Sequence, residues 1–395
     1  MVNEKYHGLG TAPSVIRELF AYGLQQAKVV GKENVYDYSL GNPSIPAPAK
    51  VNETIKKLVD TEDSIQLHGY SMAPGFENVR QAIADNLNER FGVNAKANEL
   101  FMTCGCAPAL VSVAHALTTS PEDEFVAIAP FFPEYNVFFT CAGAKLTVVP
   151  ADTVHFQIDM DALEKTINEH SVAVVINSPN NPSGVIYPEA NIKAACEVLK
   201  AKEAEYGHPI YIIADEPYRE LVYTEEKVAF IPSIYDNTII CYSWSKSLSL
   251  PGERIGYIAV PKLVADYDLI IPAINGAGRV LGYVCAPSLF QQVVKECVDV
   301  MPDIEPYRVN RDLLYNALVE YGYNVAKPSG AFYMYIEAPD KDAEAFCEKA
   351  KQQDVLLVPG TGFGTPSYMR LSYCVEKAKV EKCLPVFKKL MEEYK

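Results

Sequence analysis

The stretch that decides the fold is Ile239–Tyr257, which reads IICYSWSKSLSLPGERIGY. A short apolar strand leads into small polar residues, then to Lys246 and, eight positions later, to Arg254. A lysine becomes a nucleophile when its amine loses its proton, and burial beside another cation lowers the pKa of a lysine. The arginine can bind two phosphate oxygens, and the hydroxyls of Ser243 and Ser245 can bind others. The stretch therefore predicts a site for a carbonyl and a phosphate.

The length, composition and net charge indicate how many domains to expect and which classes of partner to exclude. A chain of 395 residues exceeds what one hydrophobic core usually supports, so we expect two domains. Apolar residues make up 49% and charged residues 22%, which is typical of a globular protein. The net charge of −15 argues against nucleic acid or an anionic membrane as partner, because both are bound through basic surfaces.

The cysteines and the first residues indicate the compartment. Ten cysteines are scattered without C-x-x-C spacing, and Cys104-Gly-Cys106 has no nearby histidine or cysteine cluster to complete a metal site. The first ten residues, MVNEKYHGLG, contain no apolar signal segment, and no stretch approaches the roughly 20 apolar residues of a membrane span. We therefore expect no metal, no membrane partner and a reducing, cytoplasmic location.

Several predicted strands end in residues suited to ligand binding. In α/β sheets, ligands bind at the carboxyl ends of the strands, and the backbone N–H groups at a helix N-terminus bind phosphate. The residues at these ends are Gly105, Cys106 and Ala107 before a helix, Phe132 in a Pro-Phe-Phe-Pro turn, Asn181 in Asn-Pro-Ser-Gly, and Asp215 and Tyr218 in Asp-Glu-Pro-Tyr.

The order of these motifs, followed by Ser-x-Ser-Lys and Gly-x-Arg-x-Gly, resembles that of the fold type I aminotransferases, the aspartate aminotransferase superfamily. The resemblance covers nearly the whole chain. It implies pyridoxal 5'-phosphate as cofactor, held covalently by Lys246, which also carries the proton during catalysis. It implies that Asp215 pairs with the ring nitrogen, that Asn181 and Tyr218 bond the ring oxygen, and that Phe132 stacks on the ring. The implied phosphate ligands are Gly105, Cys106, Ala107, Ser243, Ser245 and Arg254.

The same resemblance implies substrate and subunit contacts. Arg370, in a Met-Arg-Leu-Ser strand near the C-terminus, corresponds to the clamp on the substrate α-carboxylate, and Gly41 and Asn181 would also lie against the substrate. Tyr70 would reach the cofactor phosphate of the other subunit, which requires a homodimer. Arg279 lies near the position where aspartate-selective relatives present an arginine, whereas Ala107 stands where some thermophilic-type relatives use a lysine, which puts aspartate in doubt.

Five of these assignments have a structural alternative. Gly41 can belong to a plain turn, Tyr70 and Phe132 can be core aromatics, Asp215 can cap a helix, and Arg279 can form a surface salt bridge.

The expected fold is α/β. A large domain over residues 41–285 contains a mostly parallel seven-stranded sheet flanked by helices, and a smaller α/β domain is built from residues 1–40 and 286–395. The alternation of strands and helices comes from the sequence pattern, and the sheet topology comes from the resemblance.

The implied function is a transaminase that moves an amino group between an L-amino acid, with aspartate as one candidate, and a 2-oxo acid in two half reactions. A β-lyase of cystathionine type is an alternative that uses the same cofactor site. A non-catalytic regulator that binds pyridoxal phosphate is an alternative from another class, although the chain has no room for the N-terminal winged helix domain that such regulators carry.

Overall fold

The computed structural model describes residues 1–11 and 14–394. The α-helices in these ranges are α1 (Glu4–Thr11), α2 (Val15–Val30), α3 (Ala49–Thr61), α4 (Ser64–His68), α5 (Glu77–Phe91), α6 (Cys106–Leu117), α7 (Glu134–Ala142), α8 (Met160–Thr166), α9 (Glu189–Tyr206), α10 (Trp244–Ser247), α11 (Tyr267–Val280), α12 (Ser288–Glu296), α13 (Glu305–Tyr321), α14 (Ala343–Lys351) and α15 (Lys377–Glu392).

The strands are β1 (Tyr36–Asp37), β2 (Leu100–Thr103), β3 (Glu124–Ile128), β4 (Lys145–Val149), β5 (Ser171–Asn177), β6 (Tyr211–Asp215), β7 (Thr238–Ser243), β8 (Gly256–Ala259), β9 (Val325–Ala326), β10 (Tyr333–Glu337), β11 (Val355–Leu356), β12 (Val358–Pro359) and β13 (Tyr368–Ser372). Short 3₁₀ turns cover Lys32–Asn34, Ala97–Glu99, Ile231–Ser233 and Gly360–Phe363.

The large sheet has seven strands in the order β2-β8-β7-β6-β5-β3-β4. Six of them run in the same direction, and only β8 runs antiparallel to them, including to both of its neighbours, β2 and β7. This arrangement confirms the predicted, mostly parallel seven-stranded sheet. Every residue of the central strands β6 and β7 is buried, which explains why these strands are apolar at nearly every position rather than at every second one.

Helices cover both faces of the large sheet. One core cluster contains Val174, Ile212 and Ile240, and the other contains Val175, Ile213 and Ile239. These residues alternate along β5, β6 and β7, so each strand contributes one side chain to each face in turn. The carboxyl ends of the parallel strands are thereby left free to carry polar groups.

The smaller unit joins both ends of the chain. In it, β1 pairs with β11 in parallel, and β12, β13, β10 and β9 form an antiparallel sheet. A third core cluster contains Tyr38 from the N-terminal part and Phe387 from α15. Strand β1 ends at Asp37, and Ser39 turns back to bond the Asp37 carboxylate through its backbone N–H (2.9 Å) and its hydroxyl (2.6 Å).

Helix α12, which follows residue 285, packs against the large sheet. Val293 and Val294 of α12 lie in the same core cluster as β5 and β6 of the large sheet. We therefore infer that the change between the two units falls nearer residue 300 than the predicted residue 285. Within the described residues, no helix is both long and apolar enough to cross a membrane.

Candidate active site

The strand ends meet at one edge of the large sheet. Asn177 at the end of β5 lies beside Asp215 at the end of β6, and Asp215 lies beside Cys241 of β7. A cavity of about 300 Å³ opens at this edge, a volume at the lower end of the range for small-molecule sites. It is lined by nine of the predicted site residues, namely Gly41, Cys106, Ala107, Phe132, Asn181, Asp215, Tyr218, Lys246 and Arg370.

Lys246 lies on the one-turn helix α10, which directly follows β7. Its Nζ atom donates a hydrogen bond of 2.6 Å to the Gly41 carbonyl and lies 5.4 Å from the centroid of the Phe332 ring. Burial lowers the pKa of Lys246 to about 8, helped by the positive charges of Arg370 and Arg254. This is the direction that the sequence predicted, and it supplies a neutral amine near neutral pH.

Asp215 is held by two donors. The Cys106 thiol donates to Oδ1 at 3.0 Å, and the Tyr135 hydroxyl donates to Oδ2 at 2.5 Å. Burial raises the pKa of Asp215, and these two hydrogen bonds oppose the rise. The carboxylate makes no salt bridge with any described residue, and it is fixed in a cavity where a cationic nitrogen can approach it. Asp215 does not cap a helix, because the next helical element in the chain is the 3₁₀ turn Ile231–Ser233.

The phosphate turn precedes α6, whose first backbone N–H groups have no partner within the helix. Gly105 has a φ of 96°. A Cβ built on Gly105 would come within 2.6 Å of Nη2 of Arg254, so only glycine permits this approach. Arg254 itself is exposed, and its Nη1 donates to the Pro251 carbonyl at 2.8 Å. An arginine, a helix N-terminus and a glycine turn therefore converge at one point, as phosphate binding requires.

Ser243 and Ser245 lie next to this turn. Both are buried, and the Ser243 hydroxyl donates to the Ser245 hydroxyl at 3.1 Å. They do not line the cavity itself. Their hydroxyls bracket the start of α10 and are available to an anion at the turn.

Arg370, in the middle of β13, is only 2% exposed. Its Nη1 donates to Oδ1 of Asn181 at 2.9 Å and its Nη2 donates to the Ser39 carbonyl at 2.5 Å, whereas its Nε has no partner. No carboxylate of the described residues lies within salt-bridge distance of it. A buried guanidinium without a counter-ion is costly unless an anion binds, so this site is built for a carboxylate from outside the chain.

Asn181, Tyr218 and Phe132 also line the cavity. The backbone N–H of Asn181 donates to Oδ1 of Asn177 at 2.7 Å, and Nδ2 of Asn177 donates to the backbone carbonyl of Asp215 at 2.8 Å. These two bonds hold the adjacent ends of β5 and β6 together. The Tyr218 hydroxyl lies 2.8 Å from that of Tyr333. Phe132 is half-buried, and it both lines the cavity and packs against the core cluster that contains Phe125.

Two further predicted residues, Tyr70 and Arg279, do not line the cavity either. Tyr70 is 89% exposed in the single chain, which excludes the core alternative, and its neighbours Ile65 and Met72 are also exposed, at 84% and 79%. Arg279 is exposed near the end of α11 and forms no salt bridge with the residues that the structure describes. The surface salt bridge considered for Arg279 is therefore absent from this part of the chain.

Sequence reasoning missed several site residues. Tyr135, which does not line the cavity but bonds Asp215, lies two residues after the Pro-Phe-Phe-Pro turn, and no sequence pattern indicates this contact. Tyr333 directly follows Phe332, and its hydroxyl occupies the space where a Cβ of Gly41 would lie, at 2.0 Å. Arg17 and Glu134 also line the cavity. No sequence signal connects Arg17 to the site, because α2 is remote in sequence from the strand ends.

Comparison with known proteins identifies the family. Residues 32–387 match the family model described as aminotransferase class I and II. A crystal structure of an amino transferase from Eubacterium rectale has 55% sequence identity and a TM-score of 0.98, covering 100% of this chain and 99% of that one. The aspartate aminotransferase from Thermus thermophilus with maleate, at 23% identity and a TM-score of 0.87 over 99% of both chains, shares the fold.

Curated relatives point the same way. A probable N-acetyl-LL-diaminopimelate aminotransferase of Bacillus subtilis is 29% identical, covering 90% of each chain. A probable aspartate aminotransferase of Methanocaldococcus jannaschii is 27% identical, covering 96% of this chain and 97% of its own. These names give no support to the lyase or the regulator alternative. The chain belongs to the class I and II aminotransferase family and is an aminotransferase.

Proposed function

We propose that this aminotransferase depends on pyridoxal 5'-phosphate and transfers the amino group of an L-amino acid to a 2-oxo acid in two half reactions. One observation carries the proposal. A lysine with a pKa of about 8, a buried carboxylate without a cation and a buried arginine without an anion all line one small cavity. Each of these groups lacks the partner that a pyridoxal phosphate and an amino acid would bring.

The residues present fit the cofactor. Pyridoxal phosphate supplies an aldehyde that condenses with amino groups and a ring that withdraws electrons from the bound amino acid. Lys246 would hold the aldehyde and Asp215 the ring nitrogen, with Phe132 against the ring. Asn181 and Tyr218 would bond the ring oxygen. The phosphate would be bound by Gly105, Cys106, Ala107, Ser243, Ser245 and Arg254.

Arg370, Lys246 and Asp215 would have different roles in the reaction. Arg370 binds the α-carboxylate of the substrate and thereby orients its Cα hydrogen toward Lys246, with Gly41 lining the same space. The Nζ atom of Lys246 would accept the Cα proton, which requires the neutral amine that its lowered pKa favours. Asp215, kept in place by Tyr135 and Cys106, offers a negative charge to a protonated ring nitrogen.

Two charged side chains that line the cavity, those of Arg17 and Glu134, would influence which substrate binds. Arg17 attracts an acidic side chain such as that of aspartate, whereas Glu134 repels it, and Ala107 contributes no charge. Relatives named for aspartate, prephenate and aromatic amino acids span the range of candidates. Aspartate is one candidate, and an amino acid panel measures the preference directly.

The site is proposed to be complete only in a homodimer. Tyr70, with Ile65 and Met72, exposes an apolar and aromatic surface that a second copy would cover. From there the Tyr70 hydroxyl of one subunit would reach the cofactor phosphate of the other. Contact of Arg279 with the substrate side chain across the same interface remains a prediction. We place the protein in the reducing cytoplasm, because all ten cysteines are free thiols.

The test is the visible spectrum of the purified protein, loaded with pyridoxal phosphate and titrated with a panel of amino acids. We expect a cofactor band that the true substrate bleaches and that a 2-oxo acid restores. Lys246→Ala should lower turnover by more than the roughly 10²–10⁴-fold that one general base contributes, because the variant also loses the covalent attachment. Lys262→Ala, at an exposed lysine paired with Asp268 (2.6 Å), is the matched control.

Turnover of the Lys246 variant, product analysis and DNA binding distinguish the transaminase from the lyase and the regulator. Near-normal turnover of Lys246→Ala would refute the assignment. Pyruvate and thiol formed from cystathionine without any amino acceptor would favour the β-lyase, and a DNA mobility shift without turnover would favour the regulator.

A further inference from the structure

Tyr333 contacts two of the proposed site residues at once. Its hydroxyl lies 2.8 Å from that of Tyr218, and its ring centroid lies 4.7 Å from the guanidinium carbon of Arg370. Tyr333 is 2% exposed, and its hydroxyl lies where a Cβ at position 41 would be, so glycine at this position leaves room for it. The contact between Tyr218 and Tyr333 joins the large unit to the smaller one.

The strand pairing fixes this arrangement. In the antiparallel pair β10 and β13, Tyr335 lies directly opposite Arg370 and Tyr333 lies opposite Ser372. Tyr333 is therefore the diagonal neighbour of Arg370 on the same face of the sheet, within reach of an aromatic side chain. The ring supports the guanidinium while the hydroxyl points across to Tyr218.

The direction of the hydrogen bond follows from counting protons. Each hydroxyl carries one proton, and either can donate in the pair. An anionic ring oxygen of the cofactor has no proton, so Tyr218 must donate to it, and Tyr333 is then left to donate to Tyr218. A hydroxyl that accepts a hydrogen bond becomes a better donor, because hydrogen-bonded chains polarise one another. Burial raises the pKa of Tyr333 to about 12, which keeps this proton in place at neutral pH.

We propose that Tyr333 is a positioning residue with two separable actions: its hydroxyl strengthens the hydrogen bond that Tyr218 gives to the cofactor, and its ring holds Arg370 for the substrate carboxylate. The inference rests on the proposed function. It goes further by coupling the cofactor side of the cavity to the carboxylate side through one side chain of the smaller unit.

The test separates the hydroxyl from the ring. A weaker bond to the ring oxygen raises the proton affinity of the nitrogen that joins Lys246 to the cofactor. Tyr333→Phe should therefore shift the pH midpoint of the visible band upward by roughly 0.1–0.6 unit, as expected if the hydroxyl strengthens a hydrogen bond to a charged group by about 10–30%, while KM for the amino acid changes less than about twofold. Tyr333→Leu should in addition raise KM by roughly 5- to 30-fold, since it removes the cation–π contact.

The matched control is Tyr335→Phe, which removes a buried hydroxyl bonded to Thr365 on the same strand. An unchanged midpoint in Tyr333→Phe, or an equal shift in the control, would overturn the inference while leaving the proposed function intact. A wild-type protein that shows no cofactor band would contradict both. Thermal melting of each variant identifies a change that comes from loss of folding.

Discussion

Replacement of Arg370 by lysine tests whether the buried guanidinium is the substrate clamp. The variant keeps the positive charge but removes the planar fork, whose Nε has no partner and whose two other nitrogens bond Asn181 and Ser39. A planar carboxylate needs two parallel N–H donors, and lysine offers one nitrogen. Losing one to two charge-assisted hydrogen bonds costs about 2–4 kcal/mol, or roughly 30- to 1000-fold in kcat/KM.

The assay measures kcat/KM for the amino acid selected by the panel, together with cofactor uptake from the visible band. We expect the loss in kcat/KM and an intact band, because Arg370 is assigned to the substrate and not to the cofactor. Arg311→Lys is the matched control, since Arg311 is also buried (6% exposed) and pairs with Asp312 at 2.7 Å outside the cavity. A value of kcat/KM within about threefold of the wild type would refute the clamp.

Three further predictions concern the cofactor side of the cavity. Gly105→Ala should weaken cofactor affinity and lower stability by about 1–3 kcal/mol, because alanine is strained at a φ of 96° and its Cβ displaces Arg254; equilibrium binding and denaturant unfolding measure both. Tyr135→Phe should lower kcat by roughly 10- to 100-fold, since the loss of this donor further raises the pKa of Asp215 and favours its neutral form. The rate at which the cofactor-free protein takes up pyridoxal phosphate should rise with pH, reach half its maximum near pH 8 and level off above about pH 9, because the neutral amine of Lys246 then predominates.

Each of these predictions has a control or a contradicting result. Gly92→Ala alters a glycine with a φ of 66° and open space around it, so it should cost stability without changing cofactor affinity. Tyr235→Phe removes a buried hydroxyl bonded to the Ile210 carbonyl and should leave kcat unchanged. An uptake rate that still climbs above pH 10 would contradict the lowered pKa of Lys246.

Much of the site could be predicted because it depends on short, local patterns. Asp215 and Asn181 each follow an apolar run that forms a buried strand, and parallel strands bring such ends to one edge. Lys246 and Arg254 lie eight positions apart around one turn. The order of these segments, rather than any one of them, identified the family.

The residues that could not be predicted depend on contacts between distant segments. Tyr135 reaches Asp215 only because β3, β5 and β6 are neighbours in the sheet, and the sequence does not state that order. Tyr333 meets Tyr218 because the smaller unit folds over the strand ends. The packing of α12 on the large unit is of the same kind, since no local sequence pattern indicates it.

The central claim is that Lys246 holds pyridoxal phosphate covalently. Reduction of the loaded protein with borohydride, followed by proteolysis and mass spectrometry, locates the attachment point. We predict that the reduced cofactor is found on Lys246 and on no other lysine. Labelling of a different lysine, or a protein that remains colourless after incubation with the cofactor, would contradict the claim.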